Sequence, residues 1–171
     1  MDQSAIDGLT DHVAALRRYA FALTGSRIEA EDLIQETLMR AIAGARSFQR
    51  GGNLRGWLFS IMHNAFISTM RKRKQTETSG EDDLPEGVQA SDQMIKLELR
   101  DVLAALARLP EAQRAAISLI ALEEFSYRDA ADILGIPIGT LMSRLARGRE
   151  ALRRLLGDEP RPALRVIGEG R

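Results

Sequence analysis

Apolar side chains recur three and four residues apart along most of the chain, which is the spacing of one face of an α-helix. Leu9, Val13, Leu16, Ala20 and Leu23 form the first such stripe, and Gly25 can end its helix. Ser26, with Glu29 three residues on, has the form of a capping box and opens the next helix. Ala30, Leu33, Ile34, Leu38, Ala41 and Ile42 continue at helical spacing, and Gly51-Gly52 then breaks the pattern. A third helix places Leu54, Trp57, Leu58, Ile61 and Ala65 on one face and a second apolar row, Phe59, Met62, Phe66 and Met70, on another. Two rows predict a helix buried on much of its circumference, or one that keeps a surface for a partner.

The pattern resumes with Ile95, Leu99, Val102, Leu103, Leu106 and Leu109. Pro110 suits the first turn of a helix running to about Phe125. Ser126 and Asp129 form a second capping box, before a short helix from Tyr127 to Leu134 that Gly135 closes. Beyond Pro137, a longer helix turns Leu141, Leu145, Leu152 and Leu155 inward. No stretch alternates with period two. The fold class predicted is all-α: two small helical domains, the second with a helix-turn-helix. Between them Gln75 to Ser91 reads QTETSGEDDLPEGVQAS, acidic and short of apolar residues. Such a segment buries too little surface to offset its ordering entropy, so a flexible acidic linker is expected. The expected division is 1–74, linker 75–91, 92–156 and a short tail 157–171.

Composition narrows the function classes. The 171 residues include 44% hydrophobic and 28% charged side chains, a globular balance. With no Cys and two His, disulfide scaffolds, Cys-ligated zinc and thiol catalysis are excluded. The N-terminus, MDQSAIDGLTDH, has neither a basic n-region nor an apolar h-region, so no signal peptide is expected. The formal net charge is zero, which by itself argues against a nucleic-acid partner. Its distribution argues otherwise: residues 1–74 carry +4, 75–101 carry −6 and 102–156 carry +2. Each basic segment concentrates its charge at its C-terminal end, in Arg71-Lys72-Arg73-Lys74 and in Arg144, Arg147, Arg149, Arg153 and Arg154.

Two segments carry recognisable chemistry. In SYRDAADILGIPIGTLMSRLARGR, residues 126–149, small Ala130 and Ala131 let two helices approach, Gly135 permits the turn, and Ile136, Leu141 and Leu145 fill the space between them. The second helix then presents Thr140, Ser143, Arg144 and Arg147 on one outward side. Hydroxyl and guanidinium groups match the edges of base pairs in the major groove, and Arg149, Arg153 and Arg154 are placed for phosphates. The plainer alternative is a helical hairpin with a solvated basic face. The other segment joins a glycine-bearing loop, Phe48 to Gly56, to Trp57 and the aromatic helix that carries Asn64 and ends in the basic run. Aromatic faces beside a cationic path suit unpaired bases, although Trp57 and Phe59 at helical spacing equally suit a core.

In order and spacing these segments resemble the extracytoplasmic-function (ECF) sigma factors of the sigma-70 family, over about residues 10–156. The run Asp32-Leu33-Ile34-Gln35-Glu36-Thr37-Leu38-Met39-Arg40 is similar to the family's polymerase-binding helix. Trp57 to Asn64 is similar to the helix that melts and reads the −10 element, and Leu109 to Arg114 with Phe125 to Leu145 to the domain that reads the −35 element. The resemblance implies that Asp32, Gln35, Glu36 and Arg40 dock on core RNA polymerase. It implies that Phe48, Asn53, Arg55, Trp57, Asn64, Arg71, Lys72, Arg73 and Lys74 hold the −10 strand. Thr140, Met142, Ser143, Arg144, Arg147 and Arg149 are then the −35 contacts. Met142 stands where family members often have a basic residue, and Gly148 where Ala is frequent; the glycine is expected to cost helix stability by about 1 kcal/mol. The resemblance further implies promoter DNA as ligand, an anti-sigma factor as partner, cytoplasmic location, and no catalytic residue, metal or cofactor.

Two other classes fit less well. A response regulator or quorum-type activator shares the C-terminal helix-turn-helix but needs strands in its first half, where none is expected. An enzyme could use Asp32 and Glu36 as a carboxylate pair, but a di-metal site needs His three residues after Glu, and Met39 stands there. His12 and His63 have no partners in a triad arrangement.

Overall fold

A computed structural model describes residues 8–46, 48, 52–76 and 95–157, the side chains of 95–100 apart. The helices with described bounds follow one another as α1 (Val13–Thr24), α2 (Arg27–Gly44), α3 (Leu54–Thr76), α4 (Ile95–Ala107), α5 (Glu111–Ile117), α6 (Tyr127–Leu134) and α7 (Ile138–Leu156). The described residues contain no strand.

The helix ends form where the sequence places their caps. Gly25 and Gly135 close α1 and α6 with φ of 70° and 62°, the left-handed region where a Cβ is penalised. The Ser26 hydroxyl accepts the Glu29 N–H and the Ser126 hydroxyl accepts the Asp129 N–H, satisfying first-turn donors of α2 and α6. Asn53 caps α3, its side-chain oxygen accepting the Gly56 N–H at 2.9 Å.

Three expectations are corrected. The helix after Pro110 does not run evenly to Phe125: the α-helix ends at Ile117, and Ser118–Leu122 widens into a π-helical segment. Ile42 is not inward but 50% exposed, because the buried face of α2 runs through Ala30, Leu33, Ile34, Thr37 and Ala41. The linker expected from residue 75 cannot start there, since α3 continues to Thr76; residues 77–94, which hold the rest of it, lie outside the described residues, as does the tail from 158.

Each half builds its own helical layer, and the layers share one core. In the first, α1 and α3 both pack on α2, burying Leu16, Leu23, Leu33, Ile34 and Leu58. In the second, α5 and α6 pack on α7 around Ala116, Ile117, Leu141 and Leu145. The two halves then meet: α3 lies against α6, while α1 lies against α4, α5 and the π-helical segment. The two apolar rows of α3 are thereby explained. Leu58 and Ala65 are buried on one side, Phe59, Met62 and Phe66 on the other, and the partner for the surplus face is the chain's own second half.

Gly148 also has a packing reason. A Cβ on it would lie 2.5 Å from Cδ1 of Ile117 and 3.3 Å from Cβ of Gln113, so its absence lets α7 approach α5.

Candidate nucleic-acid and polymerase interface

The expected polymerase-docking residues share the solvent side of α2. Asp32 and Gln35 are exposed, and Glu36 accepts from Arg40 at 2.7 Å, an i,i+4 pair on one helix face. Beside them stand apolar residues that sequence reasoning missed: Ile28 is 74% and Met39 62% exposed, and with Ile42 they leave a partly apolar stripe on an otherwise charged helix. An open groove of about 370 Å³ between α2 and α3 is lined in part by Glu29, Asp32, Glu36, Arg40 and Lys72.

The residues expected to hold a −10 strand gather around α3. The rings of Phe48 and Trp57 pack with centroids 5.0 Å apart, so the loop and the helix meet as an aromatic pair. Asn64 is exposed. Asn53 already serves as the cap of α3. Arg71 and Lys72 are exposed; Arg73 pairs with Glu29 at 2.9 Å, and Lys74 reaches toward Glu111 of the second half at 3.9 Å.

Arg55 departs from the rest of this set. It points not to solvent but across to the second half, where its guanidinium lies 4.1 Å from the Phe125 ring centroid and 5.4 Å from that of Phe59. It donates to the Glu123 carbonyl oxygen at 2.6 Å and to Glu123 Oε2 at 3.2 Å. Glu123, whose side chain is fully buried, also accepts from Arg18 Nε at 3.1 Å and Nη2 at 3.0 Å. Nearby, the Tyr19 hydroxyl is buried without a hydrogen-bond partner among the described residues; burial, and secondarily the charge of Glu123, push its pKa up.

In the helix-turn-helix, Thr140, Met142, Ser143, Arg147 and Arg149 are exposed along α7, and Arg144 is half-buried. The Ser143 hydroxyl donates back to the Gly139 carbonyl at 3.0 Å, and Arg153 and Arg154 share Glu150. Ile138 and Met142, 51% and 54% exposed and four residues apart, give the start of α7 an apolar pair of the kind that meets a thymine methyl in a major groove. Ile138 was not expected. Burial holds the pKa of His63 down at about 4, and the charge of Arg144 adds to this.

Arg18 and Glu123 were the residues least visible in the sequence. The sequence reading places Glu123 near the end of a helix running to about Phe125, and the partners of its side chain lie 105 and 68 positions away. The left-handed backbone at Glu124, φ 54°, shows that the chain there is held in an uncommon shape.

The matches to known proteins define the class. Residues 9–63 match the family described as Sigma2 domain of PhyR, and residues 99–152 match Sigma-70, region 4. The chain belongs to the ECF RNA polymerase sigma factors. It is 40% identical over 157 residues to the ECF RNA polymerase sigma factor EcfG of Rhodopseudomonas palustris, covering 91% of this chain and 87% of that one. It is 32% identical to SigW of Bacillus subtilis over 92% of this chain and 91% of the relative. Among solved structures, the sigma factor RpoE of Bartonella quintana, crystallised with the anti-sigma factor NepR, superposes with a TM-score of 0.83 at 40% identity, covering 94% of this chain and all of that one.

Proposed function

We propose that this chain is a promoter-recognition subunit that docks on bacterial core RNA polymerase through the exposed face of α2, grips the −10 strand with α3 and its preceding loop, and reads the −35 duplex with α7. The observation that carries the reading is the coexistence of two separately capped units: a charged helix with surplus apolar residues, and a helix-turn-helix whose solvent side bears Thr140, Ser143 and Arg147. Recognition is this chain's task, and phosphodiester chemistry is the core enzyme's. By extension from the Bartonella relative, an anti-sigma protein is the expected negative partner, and the site of action is the cytoplasm, where the polymerase and DNA are. No described helix is long and apolar enough to cross a membrane.

Transcription in vitro with core polymerase and a promoter library tests the reading. A promoter-specific transcript that depends on this chain is expected; its absence with folded protein overturns the proposal. In the same system, Arg147→Ala should weaken binding to the selected −35 duplex by one bidentate contact, about 1–3 kcal/mol, with core-polymerase affinity unchanged.

A further inference from the structure

The helix that meets the −35 duplex is chemically divided along its length. The arginines of α7 stand at 144, 147, 149, 153 and 154, and its first six residues, Ile138 to Ser143, carry no charge. In a helix-turn-helix the side chains that reach base edges come from the start of the second helix. Arginine reads guanine through O6 and N7, but the first exposed arginine, Arg147, lies about 14 Å along the axis from Ile138.

What the tip of α7 offers instead is apolar. Ile138 and Met142 are 51% and 54% exposed and stand one turn apart. Leu141 and Leu145 already fill the core, so these turns hold more apolar surface than the core uses. Arg149 continues the line of the pair seven residues on. Gly139, beside them, has no reason inside the protein. Its backbone is not left-handed, and a Cβ on it would meet no neighbouring atom within 4 Å among the described residues. A glycine that the fold does not need, in a helix where Ala is better, marks a place where something from outside comes close to the backbone.

We propose that Ile138 and Met142 are specificity-determining residues, each packing against the C5 methyl group of a thymine in the major groove of the −35 element. Gly139 lets the backbone between them come near the groove floor. The thymine methyl is the apolar group that a base pair presents there. The surface continuous with the pair decides the occupant: α7 carries five arginines against one glutamate, which fits a polyanion rather than an apolar protein face. The base preference rests on the function proposed above and adds to it: thymine is required, on one strand or the other, at the two positions under the tip.

The test uses holoenzyme, the full chain with core polymerase, and the promoter that it selects by transcription from a random library. That promoter is rebuilt with 2′-deoxyuridine in place of thymine, one −35 position at a time, which removes the methyl group and keeps the base pair. Binding is measured by competition. Deoxyuridine at two positions should weaken binding by about fourfold each, the effect of one buried methyl group. Ile138→Ala should abolish this dependence at one of the positions and Met142→Ala at the other, and each should weaken binding to the thymine promoter at least as much. Both residues are exposed, and circular dichroism checks that the variants keep their helicity. A −35 element without thymine on either strand, no effect of methyl removal at any position, or a methyl effect that both variants retain overturns the proposal. Weaker core-polymerase affinity in the variants, with no methyl effect, also overturns it and assigns the pair to a protein contact. A promoter-specific transcript in any of these cases leaves the promoter-reading function standing. No transcript at all from folded protein removes that function and the base preference with it.

Discussion

Gly148 shows how a single residue can look like a flaw in sequence and a requirement in structure. On propensity alone Ala is better there by about 1 kcal/mol. In the packed protein the missing Cβ is the space that Ile117 Cδ1 fills. Gly148→Ala should therefore lower the unfolding free energy by about 1 kcal/mol, the overpacking cost outweighing the helical gain. Adding Ile117→Val, which removes Cδ1, should recover part of that loss in a denaturant titration; a stabilised single variant contradicts the packing account. Single residues were legible in the sequence where their task is local, as with Gly25, Ser26, Ser126 and Gly135. Glu123, Arg18 and Gly148 were not, because their tasks are set by neighbours distant in the chain.

At the scale of elements, periodicity and caps located most of the helices, since a capped amphipathic stripe needs no tertiary information. The π-helical segment escaped because an extra residue per turn leaves no mark in a pattern sampled over five residues. The start of α3 joins two demands at one side chain: Asn53 caps the helix and is also expected at the −10 strand. Substitution separates them. Asn53→Ala should lose about 1 kcal/mol of stability with the cap. Asn53→Asp, which keeps an accepting oxygen and suits the helix N-terminus, should hold its melting temperature yet weaken DNA binding through its charge. Equal stability of the Ala and Asp variants in thermal melts contradicts the capping role. The residues of α2 were legible as an exposed charged face, whereas the exposure of Ile28, Met39 and Ile42 depended on how α1 and α3 divide its circumference.

Across the whole molecule, the chain predicted two helical halves and a basic-acidic-basic charge order, but not that the halves close on each other. The docking partner suggested by the second apolar row of α3 is internal. His63 records that burial: its Nδ1 is buried without a hydrogen-bond partner among the described residues, and burial, with the Arg144 charge adding to it, holds the ring neutral down to about pH 4. Its ordinary value is 6.5, so between those pH values the unfolded chain binds the additional proton. Stability should therefore fall as pH drops through this window, by about 2 kcal/mol between pH 6.5 and 5. Urea titrations across that range should show the decline in the native sequence and a flatter profile in His63→Leu; identical profiles would remove His63 as the cause.

The short stretch between the halves, residues 77–94, also sets how strong their contact needs to be. Tethered by so few residues, each half meets the other at an effective concentration in the millimolar range. A contact that would be weak between separate molecules, with a dissociation constant of about 0.1 mM, then keeps about nine molecules in ten closed. A ligand that prefers the open form by a factor of about a hundred reverses that ratio. Because the halves share an apolar core besides the Glu123 contacts, a partner that separates them must cover the apolar faces that separation exposes.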